Sequence, residues 1–109
     1  MKPFITKEEF AKIDLRVGRV VKAERKENAE KLIRLTVDFG NEGVRNILTS
    51  LYPIYQPEDF EGKDFIFIIN LEPRKFLGEE SQGMILCTNE NKPLPLTTSE
   101  RSTPGASII

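Results

Sequence analysis

Histidine is missing from the chain, and cysteine occurs once, as Cys87. The first absence removes the commonest general base and the commonest metal ligand together. The second excludes an intrachain disulfide and any cysteine-built metal site. Nucleophilic catalysis would have to run through Cys87 with no imidazole to activate it. That residue falls on an apolar strand, where a thiol packs rather than reacts. No stretch approaches the roughly 20 apolar residues that span a bilayer. The opening residues mix lysine and glutamate without an apolar run, unlike a signal peptide. A cytoplasmic domain with no catalytic group, cofactor or metal is therefore expected. The 109 residues make one domain, long enough to bury a core without staples.

An excess of positive charge is also lacking. The net charge is −1, and the sequence pI is about 5.6. The distribution is more informative than the sum. Residues 1–50 hold 11 Lys and Arg against 8 Asp and Glu, whereas residues 51–109 hold 5 against 9. Cations concentrated in the first half can share one face, although the total argues against a strong electrostatic footprint.

Thr6 and Glu9 have capping-box spacing, with Ile5 and Phe10 at the staple positions. A short helix from Lys7 to about Lys12 follows, with Phe10 and Ile13 as its buried residues. Asp14–Glu24 reads as a first strand, where Gly18 breaks the alternation and suits a bulge or bend. In the second strand, Leu32–Phe39, Ile33, Leu35, Val37 and Phe39 alternate with Arg34, Thr36 and Asp38. Gly40–Gly43 is a hairpin turn into a third strand, Val44–Leu51. Tyr52–Gly62 holds a helical turn with Pro57 at its start and Gly62 at its exit. Asp64–Leu71 is apolar on both faces, as a fully buried strand requires. Glu72–Gly83 reads as a long loop, and Met84–Thr88 as a fifth strand.

Five short strands with a helical turn between the third and fourth is the element order of an OB barrel. The expected architecture is all-β with short helices: a five-stranded Greek-key barrel over about residues 14–88. N- and C-terminal extensions, 1–13 and 89–109, flank it. Such barrels bind ligands on the face of strands two and three, between the loops joining strands one to two and four to five. Arg25, Lys26 and Lys31 fall in or beside the first loop. Arg34 lies on strand two, Arg45 begins strand three, and Arg74 and Lys75 sit in the second loop. They are candidate ligand contacts, or else simply solvated charges, as most surface cations are.

Several segments carry a more specific signal. Phe10–Gly18, Asn28–Leu32, Val37–Gly40, Tyr55–Glu58, Asn70–Lys75 and Ser81–Leu86 together resemble the stand-alone tRNA-binding domain family. Relatives of that domain are appended to methionyl-tRNA synthetases and to the endothelial monocyte-activating polypeptide group. The resemblance runs in order from about Phe4 to Thr88, and Pro104–Ile108 resembles the family's C-terminal end. Where the family usually has a Ser-Gly pair, this chain reads Thr49-Ser50-Leu51, which implies altered backbone geometry or closer side-chain cover there.

The resemblance implies an OB fold, structure-directed tRNA binding, no catalysis and no cofactor. It also implies a homodimer built by the two extensions, for which Phe4, Ile5, Leu94, Leu96, Ile108 and Ile109 supply apolar surface. A methionyl-type aminoacyl-tRNA synthetase is the implied partner. The alternative is a protein-interaction module, since one relative of the family is a secretion-linked chaperone dimer. A binding role carries over onto Asn70, Arg74, Lys75, Ser81 and Met84. Arg74 and Lys75 can neutralise phosphates, and Ser81 can donate to a phosphate or ribose. Met84 offers either an adaptable contact or core packing, and Asn70 either a ligand contact or a pin for the following loop. Phe76 is expected as a plug beneath its loop, because a lone aromatic is a poor stacking platform.

Overall fold

The computed structural model describes residues 1–109. Its centre is the long strand β1 (Leu15–Arg25), which serves two neighbours in turn. Its first half pairs antiparallel with β4 (Asp64–Ile68), from Leu15 opposite Ile68 to Arg19 opposite Asp64. Its second half pairs with β2 (Ile33–Asp38), from Arg19 opposite Asp38 to Arg25 opposite Ile33. The register slips between Val20 and Lys22, so the bulge lies there and not at Gly18. Gly18 has a different task. A Cβ at that position would come within 2.4 Å of Val37 and 2.6 Å of Phe39, so the sheet curls because nothing projects there.

The remaining ladder follows from the alternation. In β2 the odd positions Ile33, Leu35 and Val37 are buried and the even ones half-buried. β2 pairs with β3 (Val44–Thr49), and β4 with β7 (Met84–Ile85), giving the order β3-β2-β1-β4-β7. The two outer strands are then stitched together by the segment before β7. The Leu48 N–H donates to Ser81 Oγ at 3.0 Å, and the Gln82 N–H donates to the Asn46 carbonyl at 2.9 Å. The result is a nearly closed five-stranded OB-like barrel, as expected. Its interior holds Phe39, Phe60, Phe67, Ile33, Leu35 and Ile47, all fully buried. Phe39 and Phe67 meet edge-to-face at 5.4 Å. Phe60 follows a single 3₁₀ turn at Pro57–Asp59, where a helical turn was expected.

Three expectations need correction. Residues 72–83 are not an irregular loop: β5 (Arg74–Phe76) and β6 (Glu79–Ser81) form a separate two-stranded ribbon. Leu77 and Gly78, both at positive φ, make its two-residue turn. The helix α1 (Lys7–Phe10) is capped as expected, Glu9 N–H donating to Thr6 Oγ1 and Thr6 N–H to Glu9 Oε1. Phe10 and Ile13 are nevertheless exposed, because a single turn outside the barrel has no apolar surface of this chain over it. The fifth strand proper is shorter than Met84–Thr88, covering Met84–Ile85.

The tail after residue 88 returns to the barrel. Ala106 O accepts from Val17 N–H, and Gly105 N–H donates to Val17 O, so residues 105–108 line the free edge of β1's first half. Arg19 ties the tail further down, donating to both Asp64 carboxylate oxygens and to Ser102 O. No helix is long and apolar enough to cross a membrane.

Candidate nucleic-acid interface

Strand β2 and the β5–β6 ribbon are drawn together by one acidic side chain. Glu79 of β6 accepts from Arg34 at 2.6 Å through both of its oxygens and from Lys26 Nζ at 3.1 Å. The ribbon therefore lies against β2 and the loop that follows β1. Between it and the end of β3 runs an open groove of about 350 Å³, lined by Leu32, Ser50, Leu71, Arg74, Phe76 and Met84 among others. Lys31 adjoins that lining at Leu32, and its carbonyl accepts from Tyr52 N–H. The Arg25 guanidinium stacks 3.7 Å above the Tyr52 ring. Both basic loops thus border one side of the barrel.

The candidate residues divide by what already occupies them. Arg25, Lys31, Arg74 and Lys75 are exposed and make no ion pair, although Arg25 donates long hydrogen bonds to Ala29 O and Glu30 O of its own loop. Arg74 leans over Phe76 at 5.2 Å, and Phe76 is half-buried in the groove wall, as a plug would be. Met84 is 44% exposed and faces the groove, so core packing does not hold it.

The others have structural partners. Lys26, only 7% exposed, lies between Glu79 and Glu27. Arg34 meets Glu79, Glu24 at 3.0 Å and Glu27 at 3.1 Å. Lys26 and Arg34 are therefore not free solvated charges but face three carboxylates in a clamp. The Arg34 hydrogen bonds are the main reason the Glu79 carboxyl falls from 4.5 to about 2. Glu27 is lowered as well, first by its own backbone hydrogen bond and then by Arg34. Arg45 donates to Ile69 O at 2.6 Å and braces β3 against the end of β4. Asn70 accepts from Asp14 N–H and donates to Lys12 O, which makes it a pin for the residues entering β1. Ser81, buried, donates to Gly83 O while accepting from Leu48 N–H, so its one proton is committed to closing the barrel.

Sequence reasoning missed Glu79. A residue-Gly pair between Arg74-Lys75-Phe76 and Glu79-Glu80-Ser81 is a hairpin signal, and it places an acid on the strand opposite the two cations. It also missed Tyr52 as the platform for Arg25, a pairing that needs three-dimensional proximity and leaves no trace in spacing.

Comparison with known proteins agrees with this geometry. The family described as "Putative tRNA binding domain" matches residues 15–107, tail included. A methionine–tRNA ligase of Methanocella arvoryzae is 40% identical over 106 residues, 97% of this chain but 16% of the ligase. The chain therefore spans about one sixth of that relative. Among solved structures, a MetRS-related protein from Pyrococcus horikoshii superposes with a TM-score of 0.89 at 39% identity, covering 99% of this chain and all of the other. The chaperone CsaA from Bacillus anthracis superposes with a TM-score of 0.87 at 26% identity, covering 98% and 100%. On the strength of the match to residues 15–107, the chain belongs to the tRNA-binding domain family.

Proposed function

We propose that this protein binds tRNA by its shape and phosphates, using the side of the barrel where the two basic loops meet. Family membership supports tRNA as the ligand. The observation that carries the assignment of the face is the four unpaired cations, Arg25, Lys31, Arg74 and Lys75, around a groove that also presents Met84. Exposed cations without carboxylate partners can exchange counterions for phosphates. Met84 and Phe76 offer apolar contact to a sugar or base face beside them. Four cations spread over two loops suit contact with the phosphates of a folded RNA, which fits recognition by shape.

The proposal extends to a homodimer, supported by the uncovered apolar residues Phe4, Ile5, Phe10, Leu94 and Leu96. It extends also to work in the cytoplasm beside a methionyl-tRNA synthetase, supported by the likeness to one sixth of such a ligase. A second reading, as a chaperone-like interaction module, is favoured by the end-to-end likeness to CsaA.

Filter binding with tRNA separates the two readings. Retention at about 50 mM salt, lost steeply as salt rises, is expected of the tRNA reading. The pair Arg74→Ala and Lys75→Ala should weaken binding and flatten the salt slope by about two, with the melting temperature nearly unchanged. No retention of tRNA by the wild-type protein would favour the chaperone-like reading.

A further inference from the structure

Glu79 is an unexpected residue on a face meant for a polyanion. Removing an acid from such a face normally tightens binding, because it adds net positive charge. The geometry argues for the opposite result here. The β5–β6 ribbon pairs only with itself, from Arg74 opposite Ser81 to Phe76 opposite Glu79. An isolated two-stranded ribbon is marginal in water. Its base is fixed where Ser81 and Gln82 bond to β3. Beyond that base, residues 72–80 make no hydrogen bond to the rest of the chain except through the Glu79 carboxylate. That carboxylate is two-pronged on Arg34 and also engages Lys26, the geometry in which charge-assisted hydrogen bonds are strong and directional. Arg74 and Lys75, on the partner strand, make no hydrogen bond or ion pair with β2 themselves, although Arg74 lies opposite the anchored Ser81.

We propose that Glu79 is a positioning residue of the tRNA-binding face: it clamps the β5–β6 ribbon onto Arg34 and Lys26 and so holds Arg74 and Lys75 beside Arg25 and Lys31. The inference rests on the tRNA reading above. Without the clamp the ribbon swings about its base, and its two cations no longer share a phosphate path with those of the first loop. Preorganisation is lost even though net charge becomes more favourable.

Two variants test this, each titrated with tRNA at several salt concentrations after its cooperative unfolding has been checked. Glu79→Gln adds one positive charge to the balance; a charge account predicts tighter binding, and the positioning account predicts binding about five- to tenfold weaker with a flatter salt slope. Glu79→Asp keeps the charge but is one methylene too short to reach Arg34 and Lys26 together; a charge account predicts no change, and the positioning account predicts weakening. In either background, adding Arg74→Ala and Lys75→Ala should cost less than it costs the wild-type protein, because the ribbon is already displaced. Tighter or unchanged binding by the variants, or weaker binding with an unaltered slope and full additivity, would overturn the proposal while leaving the tRNA reading intact. Failure of the wild-type protein to bind tRNA would remove that reading and this one together.

Discussion

At the scale of single residues, chemical type and role diverge on this protein. Arg34 and Arg74 lie on the same side, yet one is neutralised by three glutamates and the other is free. Spacing could place both near the ligand face but could not tell them apart, because the neutralising acids are separated from Arg34 by 7, 10 and 45 residues in sequence. The clamp has a consequence for acid stability. A carboxyl held down at about 2 rather than 4.5 stabilises the fold at pH above 4.5, and that contribution disappears as pH falls from 4.5 towards 2. Asp64, lowered chiefly by its hydrogen bonds from Arg19, acts in the same direction. Urea midpoints should therefore fall across that window in the wild-type protein and fall less in Glu79→Gln. A drop of equal size in both would detach Glu79 from acid stability. Gly18 is enclosed by three core side chains. An added Cβ would be 2.8 Å or less from Val37, Phe39 and Phe67, so Gly18→Ala should cost about 1–3 kcal/mol or more in urea unfolding.

Among the elements, the alternating pattern of β2, the continuous apolar run of β4, the turn at 40–43 and the capping box were all legible, since each is written in adjacent residues. Barrel closure was not. It depends on Ser81 and Gln82 meeting the backbone of β3 more than thirty residues away, and side-chain-to-backbone bonds have no periodicity. The family resemblance alone had assigned Ser81 to the ligand. Ser81→Ala would leave the buried Leu48 N–H without its acceptor, at a cost of about 1–3 kcal/mol. Chemical denaturation should show this loss, and tRNA affinity measured well below the unfolding transition should change little. A large loss of affinity in a stable Ser81→Ala protein would return the hydroxyl to the interface. The same distinction holds for Asn70, whose two bonds fix residues 12–14.

For the molecule as a whole, the radius of gyration is 14.0 Å, against about 13 Å for a compact chain of this length. The excess fits an N-terminal arm lying outside the barrel with Phe4, Ile5 and Phe10 uncovered. A solitary barrel would expose this apolar surface to water, so light scattering at micromolar protein should give twice the chain mass. A monomeric mass would refute the dimer without touching the binding face. The balance of charge over the whole chain said little about ligand, because the cations proposed to meet tRNA are four among sixteen. Their shared location became visible only once β1 had curled and carried both loops to one side.

The central claim is that tRNA lies across that side. The most direct measurement is an NMR titration of isotopically labelled protein with tRNA at low salt. The account predicts that the perturbed amides and side chains cluster at Arg25, Lys31, Arg74, Lys75 and Met84. Perturbations centred instead on the separate pocket that holds Lys63 and Arg101, or none at all, would contradict it.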